Sequence, residues 1–215
     1  MPRLVGIFGG TFDPVHNGHT KTIDFLKSLI PFDKILIIPN ALPAHRENSY
    51  ESFQHRFNMT SIAFQSIDKT LVDDRENLRN GPSYTIDTVQ EVREEEDDAK
   101  VVFIVGSDAF SEIDSWYRWE ELLILIDFIV MKRPNHPLPR NKKVLDLIDK
   151  TTDLKDLFKK RKKKSIFELD VTPVMISSSL IRQLVSEGRG VGHLVSSSVE
   201  EYLRENNLYE SKNSA

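Results

Sequence analysis

Short apolar runs alternate with stretches of helical periodicity along this chain. Residues 4–8, 34–39, 101–105, 128–132 and 166–169 read as strands. Several are apolar throughout, which is the pattern of strands covered on both faces. Between them, Ile23, Leu26, Leu29 and Ile30 share one helical face, and Phe57, Ile62, Ala63 and Ile67 share another more loosely. Ile86, Val89 and Val92 repeat at three behind a candidate capping Ser83, and Leu122, Leu123 and Ile126 continue a segment begun near Trp116. In the C-terminal third, Leu180, Ile181, Leu184 and Val185 form one helical face that Gly188 stops. Ser197-x-x-Glu200 then resembles a capping box ahead of Val199, Tyr202 and Leu203. This β-α alternation predicts an α/β fold, a doubly wound and mostly parallel sheet. Ligands of such sheets bind outside the carboxyl ends of the strands, near the switch in strand order.

The chain has 215 residues, enough for one α/β domain with a sizeable core. There is no internal repeat, and residues 135–143, with Pro137 and Pro139, read as a surface connection that does not divide two domains. No apolar run approaches the ~20 residues of a membrane span. There is no signal-peptide pattern and no cysteine, so the expectation is a soluble cytoplasmic protein without disulfides or thiolate metal sites. A net charge of −4 argues against a large nucleic-acid footprint. The acidic run at 94–98 marks a helix end, because carboxylates there oppose the macrodipole. The basic run at 159–164 reads as a solvated stretch without interleaved aromatics.

The chemistry concentrates after the first strand, in Gly9-Gly10-Thr11-Phe12-Asp13-Pro14-Val15-His16-Asn17-Gly18-His19. A strand, a glycine-bearing loop and a helix make a natural phosphate site, with N–H groups of the loop and helix start facing an anion. No Gly-Lys-Ser/Thr closes the loop, so it is not a Walker A loop, and Gly-x-Gly-x-x-Gly is missing. His-x-Gly-His also lacks the Glu and the spacing of a His-Glu-x-x-His zinc site. Two loop histidines have an ordinary reading as capping or solvated groups. Glycines that permit close approach, the Thr11 hydroxyl and the turn fixed by Pro14 favour chemistry at a nucleotide phosphate instead. His19, at the start of the helix, would then face an anion or water.

With these residues the chain resembles the nucleotidyltransferase superfamily that carries His-x-Gly-His. Within it, the chain resembles the bacterial nicotinate-nucleotide adenylyltransferases. The further matches are Ile38-Pro39-Asn40 with Pro43-Ala44-His45-Arg46, Ser83-Tyr84-Thr85-Ile86-Asp87-Thr88 and Val105-Gly106-Ser107-Asp108. Trp116-Tyr117, Lys132-Arg133-Pro134, Ile176-Ser177-Ser178-Ser179-Leu180-Ile181-Arg182 and the tail ending Leu208-Tyr209 follow in family order. The resemblance implies a Rossmann-like domain over residues 1–182, a helical extension of it over 183–209 and a tail at 210–215. It also implies transfer of AMP from ATP to nicotinate mononucleotide, giving deamido-NAD and pyrophosphate, with Mg²⁺ carried by ATP and no resident metal.

Site roles follow from the same resemblance. His16 and His19 would be the catalytic donors to the ATP phosphates. Gly9, Gly10, Thr11, Phe12, Gly106, Asp108, Ile176, Ser177, Ser178 and Arg182 would bind ATP. Asn40, His45, Arg46, Ser83, Tyr84, Thr85, Trp116, Tyr117 and Arg133 would bind the mononucleotide. Residue chemistry leaves some alternatives open. Ser177 to Ser179 also read as an N-cap, Asp108 as a cap or a ribose acceptor, and Trp116 as core or as a stacking face. Ala44 stands where the family usually has a second proline, which implies a more flexible loop. Trp119 reads as packing; His55, His136 and His193 read as surface or structural. The competing functions are a related transferase using nicotinamide mononucleotide, phosphopantetheine or a cytidylyl donor, a non-catalytic nucleotide-binding regulator, and an RNA-binding module on the basic run. The oligomeric state is not legible.

Overall fold

The computed structural model describes residues 3–42, 50–132, 139, 141–151, 154, 157, 164–170 and 176–211, with the backbone alone at 147–151. His45, Arg46, Ala44, Arg133, His136 and most of the basic run lie outside the described residues.

Among the described residues seven strands form one parallel sheet in the order β3-β2-β1-β4-β5-β7-β6. In chain order they are β1 (Arg3–Gly10), β2 (Lys34–Pro39), β3 (Thr70–Val72), β4 (Ala99–Gly106), β5 (Asp127–Lys132), β6 (Ile148–Thr151) and β7 (Lys164–Asp170). The longer helices are α1 (Asn17–Leu29), α2 (Phe53–Phe64), α4 (Thr85–Glu95), α8 (Ser178–Ser186) and α9 (Ser197–Glu205). Short ones are α3 (Arg75–Leu78), α5 (Ser107–Phe110), α6 (Trp119–Leu125) and α7 (Lys142–Leu147), with a 3₁₀ turn at Ile113–Ser115.

Successive residues of each strand serve opposite faces. Leu4, Phe8, Ile35, Ile37, Val102, Ile104 and Ile129 join Ile23 and Leu26 of α1, Met59 and Phe64 of α2, Ile181 of α8 and Leu203 of α9. Val5, Ile7, Leu36, Ile38, Phe103, Val105 and Val130 join Val89 and Val92 of α4 and Leu122 of α6. Cover on both faces is why the strands are apolar throughout. From β1 the chain winds out to β2 and β3, then returns past β1 to β4 and β5. The switch in direction lies between β1 and β4, so Gly10 and Gly106 end neighbouring strands at the crevice where such sheets bind ligands.

Several local expectations need correction. Leu29 is 47% exposed, while Ile23, Leu26 and Ile30 carry the buried face of α1. On α2 the fully buried residues are Arg56, Met59, Thr60 and Phe64, while Ile62, Ala63 and Ile67 of the expected face pack against the same core partly buried. Ser83 does not cap α4, whose N-cap is Tyr84 without a side-chain bond. The cap of α9 is Ser196, one residue earlier than the apparent box, and Glu200 instead accepts from the Val191 N–H. β3 and β6 are additional strands at the two sheet edges. His55 bonds the Tyr202 hydroxyl at 3.0 Å, joining α2 to α9. Among the described residues no helix is long and apolar enough to cross a membrane.

Candidate active site

The loop after β1 is shaped by close approaches. Phe12 takes a left-handed backbone (φ 49°), and its buried ring lies against His19 at 5.0 Å between centroids. A Cβ at Gly10 would stand 3.0 Å from the Phe12 ring. A Cβ at Gly18 would stand 2.9 Å from the His16 ring, so glycine lets its N–H reach that imidazole. The Asp13–Pro14 peptide is cis.

His16 is the N-cap of α1. Its Nδ1 accepts the Gly18 N–H at 3.1 Å, and His19 Nδ1 accepts the His16 N–H at 3.1 Å. An imidazole that accepts at Nδ1 carries its proton at Nε2. Both rings therefore present Nε2–H donors. They stack at 3.7 Å between centroids and 22° between planes. The expectation that His19 faces only an anion or water is corrected here, since one of its nitrogens is committed to backbone. The helix start is also less open than expected: the Asn17 N–H goes to the Leu194 carbonyl at 2.8 Å and the Gly18 N–H to His16.

α8 closes the same end of the site. Ser177 caps it by accepting the Leu180 N–H, and the Ser178 hydroxyl donates to the Pro14 carbonyl at 2.9 Å. Arg182 donates to the Asp13 carbonyl at 2.6 Å and to Ser179 Oγ at 3.2 Å, with its guanidinium 4.0 Å from the Tyr50 ring centroid. Asp13, 4% exposed, accepts from the Tyr209 hydroxyl at 2.5 Å and the Tyr50 N–H at 2.6 Å. Burial first, then the Asp13 charge, push the Tyr209 phenol far above the usual tyrosine range. The last residues of the fold are thus tied to the opening loop.

The other end is aromatic. Tyr84 and Tyr117 stack at 4.2 Å, and Trp116 meets Phe103 edge-on at 6.2 Å while also lining the cavity. Trp116 thus packs against the core and also borders the cavity. Ser83 Oγ accepts the N–H groups of Ala41 and Leu42 at 3.0 and 3.1 Å, which fastens the loop after β2 to the start of α4.

One cavity of about 760 Å³ spans both ends. Gly9, Gly10, Thr11, Phe12, His16, His19, Gly106, Asp108, Ile176, Ser177, Ser178 and Arg182 line it, as do Asn40, Ser83, Tyr84, Thr85, Trp116 and Tyr117. His45, Arg46 and Arg133 have no described placement. Among the described residues no three His, Asp or Glu side chains converge as a metal-binding group.

Sequence reasoning missed three buried charges around this cavity: Asp13, Arg56 and Glu76. Glu76 lines the wall. Its Oε1 accepts the Thr88 hydroxyl at 2.8 Å, and among the described residues Oε2 has no hydrogen-bond partner of good geometry. Burial raises the Glu76 pKa above its ordinary value; Ser83, Thr88 and Arg79 pull against that and do not cancel it. The available signal was a charged residue at a core position of a helix. Arg56 falls on the Met59–Thr60–Phe64 side of α2, so its spacing places it on the buried face while its residue type alone assigns it to solvent.

The family profile of the cytidylyltransferase-like proteins matches residues 7–184, and the chain belongs to that family of nucleotidyltransferases. It is 35% identical over 212 residues to a probable nicotinate-nucleotide adenylyltransferase of Pseudomonas entomophila, covering 98% of this chain and 97% of that protein. A Pectobacterium atrosepticum protein of the same description is 35% identical over 215 residues, covering 98% of this chain and 100% of its own length. Within the wider family, this enzyme belongs to the nicotinate-nucleotide adenylyltransferases. The fold matches Plasmodium falciparum nicotinic acid mononucleotide adenylyltransferase complexed with NaAD, at a TM-score of 0.74 and 20% identity over 96% of this chain and 97% of that one.

Proposed function

We propose that the enzyme transfers AMP from ATP to nicotinate mononucleotide, releasing pyrophosphate and forming deamido-NAD in NAD biosynthesis. The observation that carries this reading is that the paired Nε2–H donors and the aromatic wall share one cavity at the sheet's switch point.

The nucleophile is the mononucleotide phosphate, whose second pKa is about 6 by analogy with phosphorylated side chains. It is largely ionised at neutral pH, so the site needs no strong general base. It needs two anions held in line and charge steadied on the departing pyrophosphate. His16 and His19 donate to the ATP phosphates from Nε2. Gly9 to Phe12 let the nucleotide approach the backbone, and Gly106 and Asp108 take the adenosine side, with Asp108 accepting from ribose hydroxyls. Ile176, Ser177, Ser178 and Arg182 surround the β- and γ-phosphates. The Ser178 proton is spent on Pro14, so helix N–H groups supply the contact there. Mg²⁺, carried with the ATP substrate, would neutralise charge on its phosphates. Trp116 stacks on the pyridine ring, backbone around Ser83 to Thr85 and Tyr117 reads its carboxylate, and Asn40, His45, Arg46 and Arg133 hold the mononucleotide.

The test is pyrophosphate release from ATP and Mg²⁺ with nicotinate or nicotinamide mononucleotide. Turnover with the acid is expected. Silence with both substrates overturns the reading, and preference for the amide overturns the carboxylate assignment.

A further inference from the structure

Arg56 is fully buried at 0% exposure, and four of its N–H groups end on main-chain carbonyls. Nη1 donates to Thr11 O at 2.8 Å and Asn40 O at 2.7 Å. Nη2 donates to Ala41 O at 3.2 Å, and Nε to Glu51 O at 3.2 Å. Thr11 belongs to the loop after β1, and Asn40 and Ala41 belong to the loop after β2. Thr11 and Asn40 line the active cavity; Arg56 is not among its lining residues. Burial lowers the Arg56 pKa, opposed by the Asp13 carboxylate, but a guanidinium stays charged across the working range.

A flat, five-donor fork is the side chain that can reach carbonyls on separate segments at fixed angles. A lysine at this position keeps the charge but has one nitrogen. Among the described residues the hydrogen bonds donated by the Arg56 guanidinium all go to backbone, so they set where two loops stand relative to each other without touching either nucleotide.

We propose, resting on the transferase reading above, that Arg56 is a positioning residue: it fixes the ATP loop at Thr11 against the mononucleotide loop at Asn40 and Ala41, and through it each nucleotide orders the other's site. Ordering one loop lowers the entropic cost of ordering the other, which makes the two binding events reciprocal.

Arg56→Lys tests this. The variant should melt lower than wild type yet stay folded by circular dichroism. Its kcat should fall by about 10²-fold, as expected for a small misplacement of reacting groups, with a much smaller rise in either KM. Turnover per folded molecule within about threefold of wild type would reduce Arg56 to a structural residue. If the lysine variant does not fold, hydrogen exchange of the wild type decides. A methylene-bridged ATP analogue alone should slow exchange at the Ala41 and Leu42 amides, and Arg56→Gln should abolish the effect where it folds. No protection of those amides in the wild type overturns the inference. The ATP-only measurement uses no mononucleotide. Failure of pyrophosphate release would therefore sink the substrate assignment while leaving the Arg56 result readable.

Discussion

His16 and His19 stack face to face at 3.7 Å, and each gives its Nδ1 to a backbone N–H of the same turn. The pair is a reciprocal cap and a pair of donors at once. Capping fixes the tautomer, and the tautomer fixes where the protons point.

His19→Ala should therefore lower turnover much more than it weakens mononucleotide binding. Loss of one preorganised donor costs about 10²–10³-fold in kcat. Steady-state kinetics with a separate binding titration will show the split. An equal loss in both would assign His19 to binding.

Trp116→Ala should chiefly weaken the mononucleotide. Stacking on an aromatic side chain is worth about 1–3 kcal/mol per base, so the mononucleotide Kd should rise by about 5- to 150-fold. ATP affinity should hold, and Trp116→Phe should recover part of the loss. An unchanged mononucleotide Kd would return Trp116 to the core.

Glu76 makes a pH-dependent prediction. Its folded pKa is raised above the ordinary 4.5, with burial the leading cause. The protonated form is thus favoured by folding, and its stabilising contribution is complete below the ordinary value and lost as pH rises through the folded one. Glu76→Gln, neutral at every pH, should match wild type near pH 4 and gain on it progressively above pH 5. Melting temperatures of both proteins across pH 4–8 will give the difference curve. A gap that is constant with pH would mean that the carboxyl does not titrate between states.

Tyr209→Phe should destabilise the fold by about 1–3 kcal/mol, because it strips a partner from the buried Asp13 carboxylate. Urea unfolding is the measurement. A change below about 0.5 kcal/mol would show that water replaces the hydroxyl.

The central strands were legible because their two-sided burial leaves continuous apolar runs, as in Val101 to Val105. The edge strands were not. Thr70–Val72 and Ile148–Thr151 are short and partly polar, and pairing with β2 and β7 makes them strands. Caps failed by one residue at Ser196, where adjacent serines offer the same oxygen and only the backbone angle chooses. Ser83 was misread because its hydroxyl serves Ala41 and Leu42, about forty positions away in sequence. Arg56 was left off the buried side of α2 because its residue type reads as solvent-facing until its four carbonyl partners are seen.

The sequence by itself determined the β-α alternation, which rests on residue types at short spacing, and the kind of reaction, which rests on motifs that resemble a family in their order along the chain. Only the tertiary structure decided how His16 and His19 hold their protons, how Tyr209 reaches Asp13, and which buried charges brace the cavity. Tyr209 reaches Asp13 across 196 positions and Arg56 reaches Thr11 across 45, while the His16 and His19 bonds are local and form only once the helix start is in place. Their chemistry is set by burial and by the carbonyls that folding brings within reach, and neither is encoded in local pattern.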